Sequence, residues 1–379
     1  MKIAVIAGET SGDQLGGWLI EALKKKQPSA EFVGLGGPRM QAQGLQSLFP
    51  MEDIALMGIA EVLPHYFTVK RRIRQMVEHL EAEKPDIVVT IDSRGFTYRV
   101  VAALKKRGII RPRFYHYVAP SVWVYRPKRV HTAAKLFDGL FCLLPFEPEY
   151  FEPVGLPAHF IGHEIAWYWR DKGDGVAFRA HHGIAPETPL LALFPGSRRS
   201  ELKRLLPLFR ETINRLVIEI PNLELAVMIP DYLRIRMDDE LKNWPIKSHL
   251  IGNSDDKKDF FAAATAALAK SGTVALECAL AGLPSVTTYK ANPASVAIFR
   301  RIVKIQWFNL ANILANRMVI PELMQENATP ENLTRTLLPL LTDQTARNEQ
   351  RTELKSIAAM LGAEDARSPS EKAAEIIFS

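Results

Sequence analysis

The sequence is poor in cysteine and has no long hydrophobic run. Of its 379 residues only Cys142 and Cys278 are cysteines, each inside an apolar stretch. This argues against a disulfide framework and indicates buried thiols in a reducing compartment. No run approaches the ~20 apolar residues of a membrane-spanning helix. The apolar run Ile3–Ala7 is short and is followed by Glu9 and Asp13, so we expect no signal peptide and a cytoplasmic protein.

The composition is that of a well-packed globular protein. Hydrophobic residues make up 47% and charged residues 24% of the chain, which argues against disorder. A chain of 379 residues is too long for a typical single core, so two domains are expected. The net charge of +6 favours anionic partners such as phosphates, nucleotides, acidic lipids or nucleic acid, without choosing among them.

Short β-branched runs alternate with helical patterns along most of the chain. This alternation predicts parallel sheets with helices on both faces, and its two cycles predict two doubly wound (Rossmann-like) α/β domains that face a cleft. We place the domains at residues 1–165 and 166–345, with helices in 346–379 that pack back on the first domain. The predicted strands are Lys2–Ala7, Glu31–Leu35, Ile87–Ile91, Arg113–Val118, Gly139–Leu143, His159–Ile161, Leu190–Phe194, Leu223–Ile229, Ser248–Ile251, Ala264–Ala269 and Ser285–Thr288.

Two turns in the second half favour phosphate. The first, with Ser197 and Arg198, leads from a strand into a helix whose N-terminal N–H groups suit an anion. The second, Ser271-Gly272-Thr273, repeats this arrangement. Glu277 follows one helical turn later, where its carboxylate could accept both ribose hydroxyls or be an exposed helical glutamate. Together the turns indicate a nucleotide diphosphate.

Several residues after strands of the first half are candidates for a second ligand. Asp92 could act as a general base on a sugar hydroxyl or cap the next helix. Ser11 and Asp13 lie in a Gly-rich turn that either binds a ligand or caps its helix. An aromatic loop contains Trp123, which suits a sugar face or an acyl chain but could equally be buried. His163 ends the last strand of the first domain and is a further candidate contact.

One segment combines apolar, aromatic and basic residues. It either lies in an anionic lipid interface or forms a buried helix with a solvated basic edge. Nucleic-acid binding is not expected, since no stacking platform or recognisable nucleic-acid fold accompanies the charge. The candidate membrane contacts are Ile59, Val62, Leu63, Tyr66, Phe67, Lys70, Arg71 and Arg74.

No metal site or hydrolase motif stands out. His181 and His182 are adjacent and therefore point apart in either a helix or a strand. The glycine fingerprint of nicotinamide dehydrogenases is also missing, and Leu35 and Gly36 stand where an acidic residue would end the second strand.

The chain resembles the lipid-A-disaccharide synthase family through ordered matches along nearly its whole length. They include Ala7-Gly8-Glu9-Thr10-Ser11-Gly12-Asp13, Met57-Gly58-Ile59-Ala60-Glu61-Val62-Leu63, Tyr117-Val118-Ala119-Pro120-Ser121-Val122-Trp123, Leu144-Pro145-Phe146-Glu147, Pro195-Gly196-Ser197-Arg198 and Asn312-Ile313-Leu314.

The resemblance implies the glycosyltransferase-B fold and transfer of 2,3-diacylglucosamine from UDP to 2,3-diacylglucosamine 1-phosphate, with inversion to a β-1,6 link. It implies Asp92 as the base, and a membrane-docked protein on the cytoplasmic face of the inner membrane. We expect no cofactor or metal, since helix N-termini and Arg198 can stabilise the leaving diphosphate. Whether the protein is a homodimer stays open. Residues that match donor-binding positions are Ser197, Arg198, Ser271, Gly272, Thr273, Glu277, Asn312 and Gln325.

One departure from the family pattern lies beside the expected base. The family continues from its aspartate with a small residue, proline and a second aspartate, whereas Arg94 and Gly95 stand here. Arg94 could pair with Asp92 and depress its pKa, or bind the acceptor phosphate. A related glycosyltransferase with a polyprenyl-linked acceptor, or a binding protein without turnover, are the rival interpretations.

Overall fold

The structure, a computed structural model, describes residues 1–54, 59–252, 256–292 and 305–379, with the side chains of 59–66 left undescribed. The chain forms two units. The first comprises Met1–Glu164 and Asp365–Ser379, and the second comprises Ile165–Glu364. Within the described ranges, no helix is both long and apolar enough to cross a bilayer.

The first unit is built on a seven-stranded parallel sheet in the order β3-β2-β1-β4-β5-β6-β7. Its central strands β1 and β4 are almost entirely apolar and are buried apart from Lys2, because a doubly covered sheet buries both faces of each strand. The strands are β1 (Lys2–Ala7), β2 (Glu31–Leu35), β3 (Gln46–Ser47), β4 (Ile87–Ile91), β5 (Arg113–Tyr117), β6 (Gly139–Cys142) and β7 (Ala158–Phe160).

Helices cover both faces of this sheet and enclose two apolar cores. One core includes Phe96 and Phe114, and the other includes Leu19 and Tyr117. The helices of the first segment are α1 (Thr10–Lys26), α2 (Pro38–Ala42), α3 (Ile59–Glu83), α4 (Arg94–Lys106), α5 (Arg129–Leu136) and α6 (Pro148–Phe151), and α7 (Glu164–Tyr168) begins at the boundary between the units.

The second unit has a six-stranded parallel sheet in the order β10-β9-β8-β11-β12-β13. Its strands are β8 (Leu190–Phe194), β9 (Glu224–Met228), β10 (Lys247–Ile251), β11 (Ala266–Lys270), β12 (Ser285–Tyr289) and β13 (Glu322–Met324). The helices are α8 (Gly175–His182), α9 (Arg199–Glu219), α10 (Arg234–Leu241), α11 (Lys257–Ala263), α12 (Thr273–Ala281), α13 (Leu310–Ala315), α14 (Pro330–Thr342) and α15 (Gln344–Met360).

The eleven strands predicted from the sequence all occur, and two edge strands were missed. The missed strands are β3 and β13, which contain two and three residues. Each lies at an outer edge of its sheet and is too short to show a period-two pattern. Their omission leaves the order of the other strands unchanged.

The C-terminal helices do not stay together as the sequence predicted. The helix α15 belongs to the second unit, where Gln350 accepts from Ser285 N at 2.7 Å and donates to Val319 O at 2.9 Å. Only α16 (Pro369–Phe378) lies on the first unit. There Ile377 is fully buried beside α1, in the core that contains Leu19 and Tyr117. The apolar face of the last helix therefore completes that core.

A polar cluster fixes α16 to the first unit. The Tyr117 hydroxyl donates to Glu164 Oε1 at 3.1 Å, and the Ser370 hydroxyl donates to the same oxygen. Burial raises the pKa of the Glu164 carboxyl above its ordinary value, although the two hydroxyls oppose the shift. In addition, Arg113 donates to Ile377 O at 2.7 Å. The final helix therefore completes the first unit through both apolar and polar contacts.

We predict that Ile377→Ala lowers the free energy of unfolding by about 2–5 kcal/mol, because it leaves a cavity in a closed core. Urea unfolding followed by circular dichroism measures this change. The matched control is Ile218→Ala, since Ile218 is 76% exposed and should change stability by no more than about 0.5 kcal/mol. Equal effects of the two substitutions would contradict the packing described for α16.

Candidate active site

A cavity of about 300 Å³ lies at the carboxyl edge of the second sheet. It collects residues that follow β8, β9 and β11, which is where ligands bind in open parallel sheets. Both turns predicted for phosphate contribute to it. The lining residues are Phe194, Gly196, Ser197, Met228, Ile229, Pro230, Lys257, Lys270, Gly272, Thr273, Val274 and Glu277.

The first turn is closed internally by a carboxylate. Glu201 Oε2 accepts hydrogen bonds from Ser197 N at 3.1 Å and Arg198 N at 3.3 Å. Gly196 has a φ of 115°, and a Cβ there would come within 2.7 Å of Glu201 Oε2. The side chains of Ser197 and Arg198 remain exposed. The N–H groups of Ser197 and Arg198 are therefore already satisfied, while the side chains of these two residues stay available.

The second turn is open. Ser271 N donates to Thr288 O at 2.9 Å, which fixes the turn to β12, while Gly272 and Thr273 are exposed at the start of α12. No side chain among the described residues caps this helix. The unsatisfied N–H groups and the positive end of the helix dipole therefore face the cavity, as an anion site requires.

Glu277 lies one turn into α12 and lines the same cavity. Its carboxylate pairs with Lys257 Nζ at 2.6 Å, and its side chain is only 15% exposed. The interpretation of Glu277 as an exposed surface glutamate is therefore excluded. The geometry fits a carboxylate held ready for hydroxyl donors.

Two cavity lysines escaped the sequence analysis. Lys257 belongs to a charged run that resembles a solvated helix start, and Lys270 is the last residue of β11. Lys270 could have been predicted as a ligand-binding residue from its position at the end of a strand, since ligands bind where parallel strands end. No comparable signal identified Lys257, whose place in the cavity depends on the fold.

Asn312 does not contact the cavity. Its side chain is fully buried: the amide oxygen accepts from Val319 N and Ile320 N, both at 2.8 Å, and the amide nitrogen donates to Ile320 O and Glu322 Oε1, both at 2.7 Å. The assignment of Asn312 to the donor is therefore corrected, because its hydrogen-bonding groups join α13 to the β13 edge.

Gln325 lies directly after β13 with a φ of 52°. Its Oε1 accepts from Ala291 N at 3.1 Å. The side chain thus ties the end of β13 to the segment after β12, and it does not line the cavity. A donor contact by Gln325 stays a prediction.

Asp92 directly follows β4 in the first unit and has a strained backbone. Both Asp92 and Ser93 have a φ of 43°, a region that costs non-glycine residues of order 1–3 kcal/mol each. Thr97 Oγ1 donates to Asp92 O at 2.7 Å, and Asp92 N donates to Tyr117 O at 3.0 Å. Since Ser93 rather than Asp92 stands at the N-cap of α4, the helix-cap alternative finds no support. Strain of this kind is concentrated at functional sites.

A second carboxylate lies near Asp92. Glu9 Oε1 accepts from Ser93 Oγ at 3.4 Å. Burial and then the charge of Asp92 raise the pKa of Glu9 above its ordinary value. The backbone of Gly8 also lies close to Ser93, because a Cβ at Gly8 would be 2.6 Å from Ser93 Oγ. The turn after β1 therefore brings Glu9 close to Asp92. The sequence analysis did not single out this second acidic group.

Arg94 does not neutralise Asp92. Within the described residues, the two form no ion pair, and Arg94 instead lies near Tyr125. Burial would raise the pKa of the Tyr125 hydroxyl, but Arg94 and Arg129 beside it bring that pKa below its ordinary value. Of the two alternatives for Arg94, the ion pair with Asp92 is therefore not formed among the described residues, and binding of the acceptor phosphate stays a prediction.

Asp13 has a structural role. It is 1% exposed, and its carboxylate accepts from the backbone N–H groups of Gly37 (2.8 Å), Arg39 (2.9 Å) and Met40 (3.0 Å). It therefore caps α2 rather than its own helix and is closed to a ligand, which corrects its assignment to the cleft. Ser11 is exposed at the start of α1.

Trp123 is half-buried against Phe146, with ring centroids 5.3 Å apart. Its Nε1 lies 3.5 Å from Glu147 Oε1, and burial raises the pKa of Glu147 to about 7. His163 is a neutral side chain near physiological pH because burial lowers its pKa to about 4. Contact of Trp123 or His163 with an acceptor stays a prediction.

The helix α3 has an exposed basic face. Phe67 is 80% exposed, and Lys70, Arg71 and Arg74 are also exposed. Their spacing of three and four residues puts them on one side of the helix. On the other side of the helix, Val69 and Ile73 pack against the first core. The exposed cations fit both the lipid interface and a buried helix with a solvated basic edge, and the exposed Phe67 ring favours the lipid interface. The side chains of Ile59, Val62, Leu63 and Tyr66 lie outside the described part.

Comparison of folds defines the class of the protein. The structure of UDP-GlcNAc 2-epimerase from Neisseria meningitidis bound to UDP-GlcNAc matches with a TM-score of 0.65 at 12% identity, covering 100% of both chains. The structure of Acinetobacter baumannii MurG matches with a TM-score of 0.57 at 12% identity, covering 100% of this chain and 99% of that chain. With its two parallel-sheet α/β units, the chain has the glycosyltransferase-B fold.

Sequence relatives specify the family. The lipid-A-disaccharide synthetase family model matches residues 3–377. A lipid-A-disaccharide synthase of Rhodospirillum centenum is 45% identical over 379 residues, with 100% of this chain and 94% of that protein covered. Another, of Gluconobacter oxydans, is 41% identical, with 99% and 90% covered. The chain therefore belongs to the lipid-A-disaccharide synthetase family of glycosyltransferases.

We predict that Asn312→Ala lowers stability by at least about 2 kcal/mol, because several buried polar groups lose their partners. Thermal unfolding measures this loss. The Kd for UDP of the folded protein, measured by titration calorimetry, should stay within about twofold of wild type. A large loss of UDP affinity in a protein of unchanged stability would restore Asn312 as a donor contact.

Proposed function

We propose that this chain condenses UDP-2,3-diacylglucosamine with 2,3-diacylglucosamine 1-phosphate, giving a β-1,6-linked disaccharide 1-phosphate and UDP. The observation that carries the proposal is the second-unit cavity, in which the open N-terminus of α12, two lysines and Glu277 meet. These groups suit a nucleoside diphosphate. Family membership directs the choice of sugar and acceptor.

In this proposal the donor diphosphate lies at Gly272 and Thr273, where the N–H groups of α12 are unsatisfied. Glu277 then accepts the ribose hydroxyls, since it projects from the same helix one turn further on. Ser197 and Arg198 contribute their exposed side chains to the phosphates. The cations around the cavity stabilise the charge that grows on the leaving UDP, so no metal is invoked.

Asp92 is proposed as the general base on the acceptor. Its carboxylate takes the proton of the 6-hydroxyl as that oxygen attacks C1 of the donor sugar, and the C1–O bond breaks with its electron pair going to UDP. Displacement from the opposite face inverts the configuration at C1. Two features support this role: no described residue donates a hydrogen bond to the carboxylate, and the strained backbone at Asp92 and Ser93 holds it at the end of β4.

We predict that Asp92→Asn lowers transfer by roughly two to four orders of magnitude, as loss of a general base does. The assay measures UDP release in detergent micelles from UDP-2,3-diacylglucosamine, with and without the monosaccharide 1-phosphate acceptor. Donor affinity should be unchanged, because the base lies in the first unit and the donor cavity in the second.

The matched control is Asp239→Asn, which removes an exposed carboxylate from α10 and should leave the rate at the wild-type value. Wild-type protein that binds donor but releases no UDP with acceptor present would overturn the proposed transfer. Such a result would support the rival interpretation of a binding protein.

We also propose that α3 docks the protein on the cytoplasmic face of the inner membrane, where both lipid substrates are held. The exposed face of Phe67, Lys70, Arg71 and Arg74 joins an aromatic group to three cations. An anionic headgroup layer attracts such a face, and the ring enters the interface. The residues at 59, 62, 63 and 66 continue the same spacing in sequence.

We predict that replacing Lys70, Arg71 and Arg74 together by Gln weakens binding to vesicles containing phosphatidylglycerol by up to about two orders of magnitude, at ~1 kcal/mol per cation. Vesicle sedimentation at low salt measures this. The control replaces Lys203, Arg210 and Arg335, three exposed cations of the second unit, in the same way. Equal weakening by both triple variants would mean that net charge, rather than α3, governs membrane binding.

A further inference from the structure

The donor cavity contains two lysines, each held by a carboxylate. Lys257 Nζ is 2.6 Å from Glu277 Oε1, and Lys270 Nζ is 3.3 Å from Glu201 Oε1. Lys257 and Lys270 both line the cavity and keep 24% of their side-chain surface exposed, whereas Glu201 keeps 6%. The two pairs differ in which partner is free to meet a ligand.

Glu201 is fully engaged by the protein. One carboxylate oxygen holds the N–H groups of Ser197 and Arg198, and the other faces Lys270. Its burial and these bonds leave it no role as a ligand group. It joins the turn before α9 to the end of β11 and so determines where the Lys270 ammonium lies.

The Lys270 ammonium lies against the second turn. A Cβ built on Gly272 would lie 3.2 Å from Lys270 Nζ, so the ammonium is next to the residue that precedes α12. The positive end of that helix is there too, equivalent to roughly half a unit charge. An ammonium beside a helix N-terminus is unfavourable unless negative charge lies near both. The Glu201 carboxylate offsets only part of the positive charge of the ammonium and the helix N-terminus together.

Lysine also has hydrogen-bonding capacity to spare. An ammonium has three N–H donors, and the ion pair with Glu201 uses one direction of approach. The partly exposed side chain can direct its other donors into the cavity while the pair is kept. Lys270 can therefore bind an anionic oxygen without leaving Glu201.

We propose that Lys270 binds the diphosphate of the donor and that Glu201 is its positioning residue, which holds the ammonium over the open N-terminus of α12. This rests on the proposed function, because it names a further contact within the same donor site. At the other pair the roles are exchanged: Glu277 meets the ligand, and Lys257 holds it. The cavity is thus prepared for a molecule that carries both hydroxyl donors and a diphosphate.

The first test compares UDP with uridine as ligands in titration calorimetry. Lys270→Met should weaken UDP binding by roughly 10- to 100-fold, the range expected for a charge-assisted hydrogen bond, and should leave uridine binding unchanged. Lys270→Arg should retain most of the UDP affinity. Lys203→Met, which removes an exposed cation from α9, is the matched control and should bind UDP like wild type.

The second test separates positioning from net charge. Glu201→Gln keeps an oxygen that accepts the turn N–H groups but abolishes the ion pair with Lys270. If only net charge mattered, removing a negative charge would tighten UDP binding. Positioning predicts the reverse: UDP affinity about 3- to 10-fold weaker, with KM for the donor raised and kcat little changed. Glu219→Gln, at an exposed site on α9, is the control.

Failure of this inference is distinguishable from failure of the proposed function. UDP affinity unchanged in Lys270→Met, or tightened in Glu201→Gln, would overturn the inference even while wild-type protein transfers sugar normally. Absence of acceptor-dependent UDP release by wild type would overturn the proposed function, whatever the calorimetry gives. Thermal unfolding of each variant checks the fold, and Lys270→Gln repeats the comparison if Lys270→Met proves unstable.

Discussion

Parallel pairing of every strand is the constraint on which both candidate sites depend. Each strand in the two sheets runs parallel to its neighbours, so the carboxyl ends of a sheet meet at one edge. Asp92 and the Glu9 turn follow adjacent strands of the first sheet, and the turns after β8 and β11 follow adjacent strands of the second. Groups far apart in sequence are thereby brought together without any long-range motif, and the candidate catalytic and donor-binding residues collect at these edges.

Carboxylates have two different roles in this structure: some hold turns in place, and others are open to a ligand. Asp13 and Glu201 are buried and satisfy backbone N–H groups of turns, so their charge is used to hold the polypeptide in shape. Asp92 and Glu277 lie at sheet edges or in the cavity, where a ligand can reach them. Burying a carboxylate is costly unless hydrogen bonds compensate, which explains why the structural acids each accept several. Aspartate and glutamate thus each have a structural role at one position and a candidate ligand-binding role at another.

Strand alternation and strand-end chemistry were readable from the sequence, and tertiary hydrogen bonding was not. β-branched runs identified eleven strands, and polar residues after them identified Asp92, Gly272, Thr273 and Glu277 as candidates. Asn312 was assigned to the donor only through the family resemblance, and nothing in its local sequence shows that its amide bonds to residues 319–322. Lys257 was missed because its partner comes from another helix, twenty residues away. Short edge strands carry no periodic signal at all.

The return of α16 to the first unit imposes an order on folding. Residues 365–379 emerge from the ribosome only after all of Ile165–Glu364, so the first unit must wait, with the apolar surface around Leu19 and Ile20 uncovered, while the second is synthesised. The second unit is continuous and can fold as it emerges. At typical translation rates of about 5–20 residues per second, this exposure lasts on the order of ten seconds or more. Nascent first units are therefore the stage most open to chaperone binding and to misassembly.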